Sequence, residues 1–195
     1  MKILLATNNP FKVAELERML NLPDVSCFSM KDLGIDLEII EDGETFEENA
    51  LKKALTLFDF IADESYIVIA DDSGLCVDYL HGAPGIFSAR YSGEGDTGNR
   101  QKLLSELSNV PDEQRTAHFH CSLALVCDDG IEVFEGICRG TIAHEERGEN
   151  KFGYDPIFIY HGQDLTFGEM PADEKNTVSH RAIAISKLKD YLLAR

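Results

Sequence analysis

Short apolar runs in the first half of the chain have the composition of β-strands. The run Tyr66–Ala70 is rich in β-branched residues and almost wholly apolar, which is typical of a strand buried on both faces in a mostly parallel sheet. Three further runs are predicted to be strands on similar grounds: Lys2–Thr7, Val25–Met30 and Leu37–Ile40.

Apolar side chains at helical spacing predict helices that follow these strands. The first helix has Asn9 as a suitable N-cap and Pro10 at its first position. The second begins at Thr45, which forms a capping box with Glu48, and its apolar stripe extends to Ile61. Two later helices are predicted, over Thr97–Ser108 and after Ser179.

The second half of the chain contains a strong hairpin signal. Asp128-Asp129-Gly130 separates two apolar runs, Ala117–Cys127 and Ile131–Thr141, and an Asp-Gly step in that position is typical of a tight hairpin turn. Antiparallel strands here and parallel strands earlier predict a mixed sheet. The fold class is therefore predicted to be α/β.

Composition indicates a globular protein and narrows its possible ligands. The chain has 195 residues, of which 44% are hydrophobic, enough for one domain or two tightly associated lobes. No apolar run approaches the roughly 20 residues that span a bilayer, and the apolar segment after Met1 is too short for a signal peptide, so we expect a cytoplasmic protein. The formal net charge of −17 argues against a nucleic-acid surface, although a few local cations can still hold a small anion.

The cysteines and one pair of histidines do not indicate a metal site. Five cysteines, an odd number with no CxxC spacing, are typical of free thiols in a reducing compartment. His118 and His120 share a strand face, as metal ligands can, but no third ligand type lies near them in the sequence. We interpret them as part of the hairpin surface.

The adjacent carboxylates Asp71 and Asp72 follow the apolar run Tyr66–Ala70 directly. In open α/β sheets ligands gather outside the carboxyl ends of the strands, so the pair is placed for chemistry. Successive side chains of a strand point to opposite faces, and we therefore expect one of the two to be the working group. The alternative is that the pair merely ends the strand and opens an Asp-Ser-Gly turn.

Two helix starts are suited to binding phosphate, because a helix N-terminus offers unpaired N–H groups and a positive dipole end. Asn9–Lys12 opens the first helix, and Lys12 adds a full positive charge; the alternative is an ordinary connection with a solvated lysine. Ser179–Arg181 opens the last helix, where the cationic side chains oppose the dipole unless an anion binds there. Glu41, outside any predicted helix and near a strand end, is a further candidate carboxylate.

These motifs together resemble the inosine triphosphate pyrophosphatase family, whose members are also known as dITP/XTP pyrophosphatases. The resemblance covers nearly the whole chain, and the motifs occur in the family's order. They are Thr7-x-Asn9-x-x-Lys12, Glu41-x-Gly43-x-Thr45-Phe46-x-Glu48-Asn49-Ala50, the block Ala70–Arg90, Phe152-Gly153-Tyr154-Asp155-Pro156 and Ser179-His180-Arg181. One departure is Lys151, which stands where many bacterial members have glycine.

The resemblance implies a two-lobed α/β fold with a long mixed central sheet flanked by helices and an active site in the cleft between the lobes. It also implies a single nucleotide-pyrophosphatase domain over residues 1–195, a homodimer, and Mg²⁺ as the cofactor. The implied reaction is hydrolysis of ITP, dITP and XTP to the monophosphate and pyrophosphate, which cleanses the nucleotide pool.

The site residues that the resemblance implies divide by role. Glu41 and Asp72 would bind Mg²⁺, and Asp72 would also accept the proton of a magnesium-bound water. Ser73 would contact the substrate. The triphosphate would be held by Thr7, Asn8, Asn9, Pro10, Phe11, Lys12 and Lys53. The base pocket would be formed by Phe152, Gly153, Tyr154, Asp155, Lys175, His180 and Arg181.

Two other functions stay open on the sequence alone. A related pyrophosphatase for modified pyrimidine nucleotides is one, and the residues of an inosine-type base pocket argue against it. The other is a catalytically silent nucleotide-binding regulator. Such a protein would be expected to lack Asp72 or Glu41, and both are present.

Overall fold

The computed structural model describes residues 1–194, and strands and helices alternate through the first half of them. The strands are β1 (Lys2–Leu5), β2 (Ser26–Ser29), β3 (Tyr66–Val77), β4 (Thr116–Cys127), β5 (Gly130–Ile142) and β6 (Phe158–Tyr160). The helices are α1 (Pro10–Leu20), α2 (Phe46–Ile61), α3 (Gly95–Glu106), α4 (Ala172–Val178) and α5 (His180–Leu193). Short 3₁₀ turns lie at Lys31–Leu33, Asp78–Leu80, Gly85–Arg90, Asp112–Gln114 and Asp155–Ile157.

The sheet is mixed, as predicted, and its strand order is β2-β1-β3-β4-β5-β6. β1 pairs in parallel with both β2 and β3, and Leu5 at its end lies opposite Ser29 and Ile69. β5 and β6 are antiparallel, with Gly140 opposite Tyr160. Parallel neighbours require crossover connections, which α1 and α2 provide in the first half of the chain.

The described chain divides into two compact units. The first contains Met1–Asp72, Cys121–Glu135 and the residues from Ala182 onward, and the second contains Ser73–His120 and Gly136–Arg181. In the first unit β3 sends alternate side chains into two hydrophobic clusters. Ile69 packs with side chains of α1 and α5, whereas Val68 and Ala70 pack with side chains of α2. The same alternation sends the next two side chains of β3, those of Asp71 and Asp72, to opposite faces.

The core of the second unit is rich in aromatic rings. Phe119 of β4 contacts Phe158 of β6 at 4.7 Å between ring centroids and lies 6.2 Å from Phe167. Leu103 and Leu107 pack into the same hydrophobic cluster. Together these side chains fix α3 against the strands of this unit.

Three helix starts, those of α1, α2 and α5, were predicted correctly from local sequence. α1 begins at Pro10, and the Asn9 side chain accepts a hydrogen bond from the backbone of Phe11, as predicted for an N-cap. α2 begins after Thr45, whose hydroxyl accepts a hydrogen bond from Glu48 N at 3.1 Å. α5 begins at His180, directly after Ser179, and this prediction is also confirmed.

Two strand predictions are wrong. Leu37–Ile40 forms no strand: Leu37 and Ile39 are partly buried against a hydrophobic cluster of the first unit, so alternating burial arises there without strand pairing. β3 does not end at Ala70 but continues to Val77, and Asp71 and Asp72 therefore lie inside a strand. Its parallel pairing with β1 nevertheless stops at Ile69. The carboxylates thus follow the end of that pairing, if not the end of β3.

No helix in the described part of the chain combines the length and the apolar character that a membrane crossing requires.

Candidate active site

The loop between β1 and α1 is shaped by its own polar side chains. Asn9 N donates to Thr7 Oγ1 at 3.1 Å, and Asn9 Oδ1 accepts from Phe11 N at 2.9 Å. These two contacts leave the first turn of α1 at the surface, where Asn8 to Phe11 are exposed. The N–H groups of Asn9, Phe11 and Lys12 donate within the loop itself, so the feature of this helix start that suits an anion is the positive end of the helix dipole.

Lys12 pairs with Asp71 in the first unit. Its Nζ atom lies 2.8 Å from Asp71 Oδ1 and 3.0 Å from Oδ2. Asp71 follows Ile69 by two residues, so it points to the α1 face of β3, as strand alternation requires. The ammonium of Lys12 is therefore held beside the start of α1 by a carboxylate from the sheet.

Asp72 points to the opposite face of β3, where α2 lies. Its Oδ2 atom accepts a hydrogen bond from Asn49 Nδ2 at 3.0 Å. Lys53 Nζ lies 3.7 Å from Asp72 Oδ1 and 3.3 Å from Glu41 Oε2. Asn49 and Lys53 are one helical turn apart, so a single face of α2 holds both the catalytic candidate and Glu41 in place.

Asn49 also fixes the segment that carries Glu41. Its Oδ1 atom accepts a hydrogen bond from Gly43 N at 2.8 Å. A Cβ atom on Gly43 would lie 2.8 Å from that same oxygen and 2.8 Å from Glu48 Cβ, so only glycine fits this approach. The Glu41 segment is thereby tied to the residue that orients Asp72.

The carboxylates Glu41 and Asp72 are chemically suited to Mg²⁺. Among residues 1–194 no cluster of three or more histidine, cysteine or acidic side chains could hold a metal ion. Mg²⁺ does not need such a cage, because it prefers hard oxygen ligands and is commonly bound by one or two carboxylates together with water and substrate phosphates. Glu41 and Asp72 supply two such carboxylates, and both lie close to the ammonium of Lys53.

In the second unit Asp155 is buried, with 3% of its surface exposed. It accepts hydrogen bonds from Asn150 Nδ2 at 2.8 Å and from Lys175 Nζ. Burial raises the pKa of Asp155, and the positive charges of Lys175 and Arg181 oppose that rise. The carboxylate of Asp155 thus holds the ammonium of Lys175 in position within the second unit.

The loop before Asp155 presents one aromatic ring to solvent and buries the next. Phe152 is 66% exposed, and Lys175 Nζ lies 5.9 Å from the centroid of its ring. Tyr154 is 5% exposed, and its hydroxyl donates to the backbone oxygen of Ser88 at 2.9 Å. Only Phe152 of these two rings is therefore available for stacking on a ligand in this conformation.

Three further predicted residues of the second unit, His180, Arg181 and Ser73, lie in a helix or a strand. The ring of His180 stacks on Phe119, with 4.8 Å between centroids and 11° between planes. Arg181 follows it in the first turn of α5, and Ser73 is a half-buried residue of β3. On β4, the ring centroids of His118 and His120 lie 6.5 Å apart. Burial lowers the pKa of His118.

The structure therefore brings five of the predicted residues together in two sets. In the first unit Lys53 joins Glu41 to Asp72, and in the second Asp155 joins Lys175 to Asn150. Asn49 and Asn150 are not among the predicted site residues. The sequence contains a pattern that could have identified Asn49, because its spacing of four residues places it on the same helix face as Lys53. No comparable local pattern identifies Asn150.

The fold is that of an α/β protein with a mixed sheet, in which carboxylates and lysines lie together just beyond the end of the parallel pairing of β1 with β3. The model of the Ham1 family matches residues 3–191. The chain is 48% identical over 193 residues to the dITP/XTP pyrophosphatase of Clostridium tetani, covering 97% of this chain and 95% of that protein. It is 46% identical over 194 residues to the dITP/XTP pyrophosphatase of Bacillus subtilis, covering 98% and 96%. This chain belongs to the Ham1 family.

Solved structures support the same assignment. The Ham1 protein of Staphylococcus aureus superposes with a TM-score of 0.91 at 38% identity, covering 100% of this chain and 99% of that one. The nucleoside-triphosphatase, or dITP/XTP pyrophosphatase, of Mycobacterium abscessus superposes with a TM-score of 0.81 at 44% identity, covering 96% and 98%.

Proposed function

We propose that this chain hydrolyses the triphosphates of deaminated purine nucleosides, namely ITP, dITP and XTP, to the monophosphate and pyrophosphate. The names of its full-length curated relatives support the substrate class. The observation that carries the proposal is the position of Lys53 between Glu41 and Asp72, at 3.3 Å and 3.7 Å. In this proposal the two carboxylates would hold a divalent cation, and the ammonium of Lys53 beside them would contact phosphate oxygens.

The triphosphate would be held at the start of α1 and by two lysines. The positive end of the α1 dipole would face phosphate oxygens. Lys12 and Lys53 would stabilise the charge that develops on the departing pyrophosphate. Each of these lysines already neighbours a carboxylate, so phosphate oxygens would replace or join an existing ionic partner.

Asp72 would act as the general base. When bound to Glu41 and Asp72, Mg²⁺ would neutralise part of the triphosphate charge and polarise the attacking water. Asp72 would accept that water's proton, with its carboxylate oriented by the hydrogen bond from Asn49 at 3.0 Å. Attack at the α-phosphorus then releases pyrophosphate in one step.

The second unit would recognise the base. Hypoxanthine and xanthine carry a 6-oxo acceptor where adenine carries an amino donor, and Lys175, His180 and Arg181 can all donate. Adenine would set donor against donor, at a cost of about 1–3 kcal/mol for each unpaired group. The exposed ring of Phe152 would stack on any purine and add affinity without selectivity. Tyr154, being buried, would support the loop rather than stack.

Several broader properties belong to the same proposal. One family model spans residues 3–191, which supports a single functional domain that includes both compact units. A net charge of −17 favours free nucleotides of the cytoplasmic pool over nucleic acid as the substrate. We propose a homodimer as the working form, which light scattering coupled to gel filtration would test.

The deciding experiment is product analysis with a panel of nucleoside triphosphates. Purified protein with Mg²⁺ should convert dITP to dIMP and pyrophosphate, without accumulation of dIDP, and should use ATP at least about 100-fold less well. Stepwise release of inorganic phosphate would mean attack at the γ-phosphorus. Preference for a modified pyrimidine triphosphate would move the enzyme to another class of pyrophosphatase. Binding without any turnover would indicate a regulator.

A further inference from the structure

Arg100 of α3 has no role in the reaction described above, yet its guanidinium is committed to the loop that carries Phe152. We infer that Arg100 is a positioning residue for the substrate loop, defined here as Lys151–Tyr154. The inference rests on the proposed function, because that function makes Phe152 the ring that stacks on the purine.

Arg100 contacts the residues directly before and directly after Phe152 in the sequence. Its Nη1 atom donates to the backbone oxygens of Lys151, at 3.1 Å, and of Gly153, at 2.8 Å. The residues on both sides of Phe152 are thus held by one nitrogen atom. Because these bonds go to backbone oxygens, they fix the course of the loop without using any of its side chains.

The guanidinium is itself held rigidly. Arg100 is 2% exposed, and Nε lies 2.9 Å from Glu146 Oε1. Nη2 donates to Thr97 Oγ1 at 3.2 Å and to Glu146 Oε2 at 3.3 Å. A buried charge is retained at low cost where it is paired. Glu146 supplies the opposite charge, and the backbone oxygens of the loop and the hydroxyl of Thr97 accept hydrogen bonds from Nη1 and Nη2, while Nε forms an ion pair with Glu146 but no hydrogen bond.

A second contact, from Asp96 one turn earlier on α3, holds the substrate loop by the N–H group of Gly153. Asp96 Oδ2 accepts a hydrogen bond from Gly153 N at 2.9 Å. Lys151 Nζ lies 3.9 Å from Glu146 Oε2, so the acidic partner of Arg100 also neighbours the first residue of the loop. α3 therefore fixes both the carbonyl and the amide of Gly153, next to the exposed Phe152 ring.

The consequence for the reaction is specific. Stacking of one base on an aromatic ring contributes roughly 5- to 150-fold in affinity, and the ring contributes it only when held in position. Loss of Arg100 should therefore raise KM for every purine substrate and leave kcat and base preference nearly unchanged. A role confined to stability would instead lower the melting temperature and the active fraction, without changing KM.

The main test is Arg100→Lys, because lysine keeps the charge but cannot bond both backbone oxygens in the planar geometry of the guanidinium. We expect KM for dITP to rise about tenfold, with kcat within about twofold. If the effect passes through Phe152, then Arg100→Lys should change KM by less than about twofold in a Phe152→Ala background. An unchanged KM in the single variant, or an effect that persists in that background, would overturn the inference.

Arg115→Lys is the matched control. Arg115 is likewise 2% exposed, and its guanidinium donates to the backbone oxygens of Leu107, Ile142 and Ala143 at 2.6–2.8 Å. The Arg115→Lys variant should lose stability, as the Arg100→Lys variant does, while its KM for dITP stays constant. Should Arg100→Lys fail to fold, Asp96→Ala removes an exposed contact to the same loop, and we expect KM to rise about threefold; an unchanged KM there contradicts the inference.

Amide hydrogen exchange separates this inference from the proposed function. Exchange in the peptide covering Lys151–Tyr154 should be faster in Arg100→Lys than in the wild type, and unchanged in Arg115→Lys. If the wild type fails to hydrolyse dITP, the proposed function fails while exchange still decides whether Arg100 orders the loop. If dITP is hydrolysed but exchange and KM are both unaltered, the positioning role alone is refuted.

Discussion

Replacing Asp72 by asparagine removes the proposed base while nearly preserving its shape. The new side-chain oxygen can still accept the hydrogen bond that Asn49 Nδ2 donates at 3.0 Å. Lys53 keeps Glu41 as an ionic partner at 3.3 Å. We therefore expect a change of about 1 kcal/mol or less in the free energy of unfolding. Loss of a general base should lower kcat by about 10²–10⁴-fold, and disturbance of the cation site should add to that.

Asp71→Asn is the matched control, because the two neighbours are similarly buried, with side chains 15% and 14% exposed. Here the expected effects are reversed. Lys12 Nζ contacts both oxygens of the Asp71 carboxylate, at 2.8 Å and 3.0 Å. Asparagine keeps one of these acceptors but loses the negative charge, and a hydrogen bond to a charged group contributes about 1.5–3 kcal/mol, so we expect a loss of about 1–3 kcal/mol of stability. Because Asp71 has no part in proton transfer, kcat should fall less than about tenfold.

Pyrophosphate release from dITP and unfolding in urea are measured for the wild type, Asp72→Asn and Asp71→Asn. The reasoning predicts an inactive, stable Asp72→Asn protein and an active, less stable Asp71→Asn protein. An inactive Asp71 variant alongside a nearly normal Asp72 variant would show that the base has been assigned to the wrong carboxylate. Equal loss of activity in both would show that the pair acts as one unit.

Two further predictions concern the base pocket and the thiols. Arg181→Ala should raise KM for ITP by about tenfold or more while barely changing the already poor use of ATP; equal use of ATP and ITP by the wild type would refute a donor-lined pocket. Burial, with a smaller contribution from Glu17, raises the pKa of Cys27 from 9.0 to about 11, so stability from this group is complete below pH 9.0 and is lost as pH rises toward 11. The stability deficit of Cys27→Ala relative to the wild type should therefore narrow by about 2 kcal/mol between about pH 8 and pH 11 in urea unfolding, and a constant deficit would contradict that linkage.

Features governed by neighbours in sequence were predictable. Asn9 and Thr45 each cap the helix that follows them, because an N-cap depends on residues only two or three positions away. The turn at Asp128-Asp129 between β4 and β5 follows the same logic. The opposite orientations of Asp71 and Asp72 also follow from local geometry, since alternation is a property of any strand.

Features that depend on pairing between distant segments were not predictable. Leu37–Ile40 has the alternation of a strand, but alternation cannot show whether a neighbouring strand is available to pair with it. The contact between Lys12 and Asp71 joins residues 59 positions apart, and that between Arg100 and Gly153 joins residues 53 positions apart. A lysine at a helix start and an arginine within a helix have the same local sequence whether they are solvated or buried against a partner.

The acidic pair shows how one backbone rule divides two adjacent carboxylates between two tasks. Strand alternation sends Asp71 toward α1, where it meets Lys12, and Asp72 toward α2, where Asn49 and Lys53 receive it. If both faced one side, the two negative charges would lie together and each would compete for the same cations. Facing opposite sides, Asp71 orders Lys12, which we propose binds phosphate, and Asp72 stays beside Lys53 and Glu41, where we propose that it acts as the base. The sequence Asp-Asp therefore makes two separate sets of contacts, available for two separate proposed functions, because β3 continues as a strand through both residues, which a turn at this point would not have ensured.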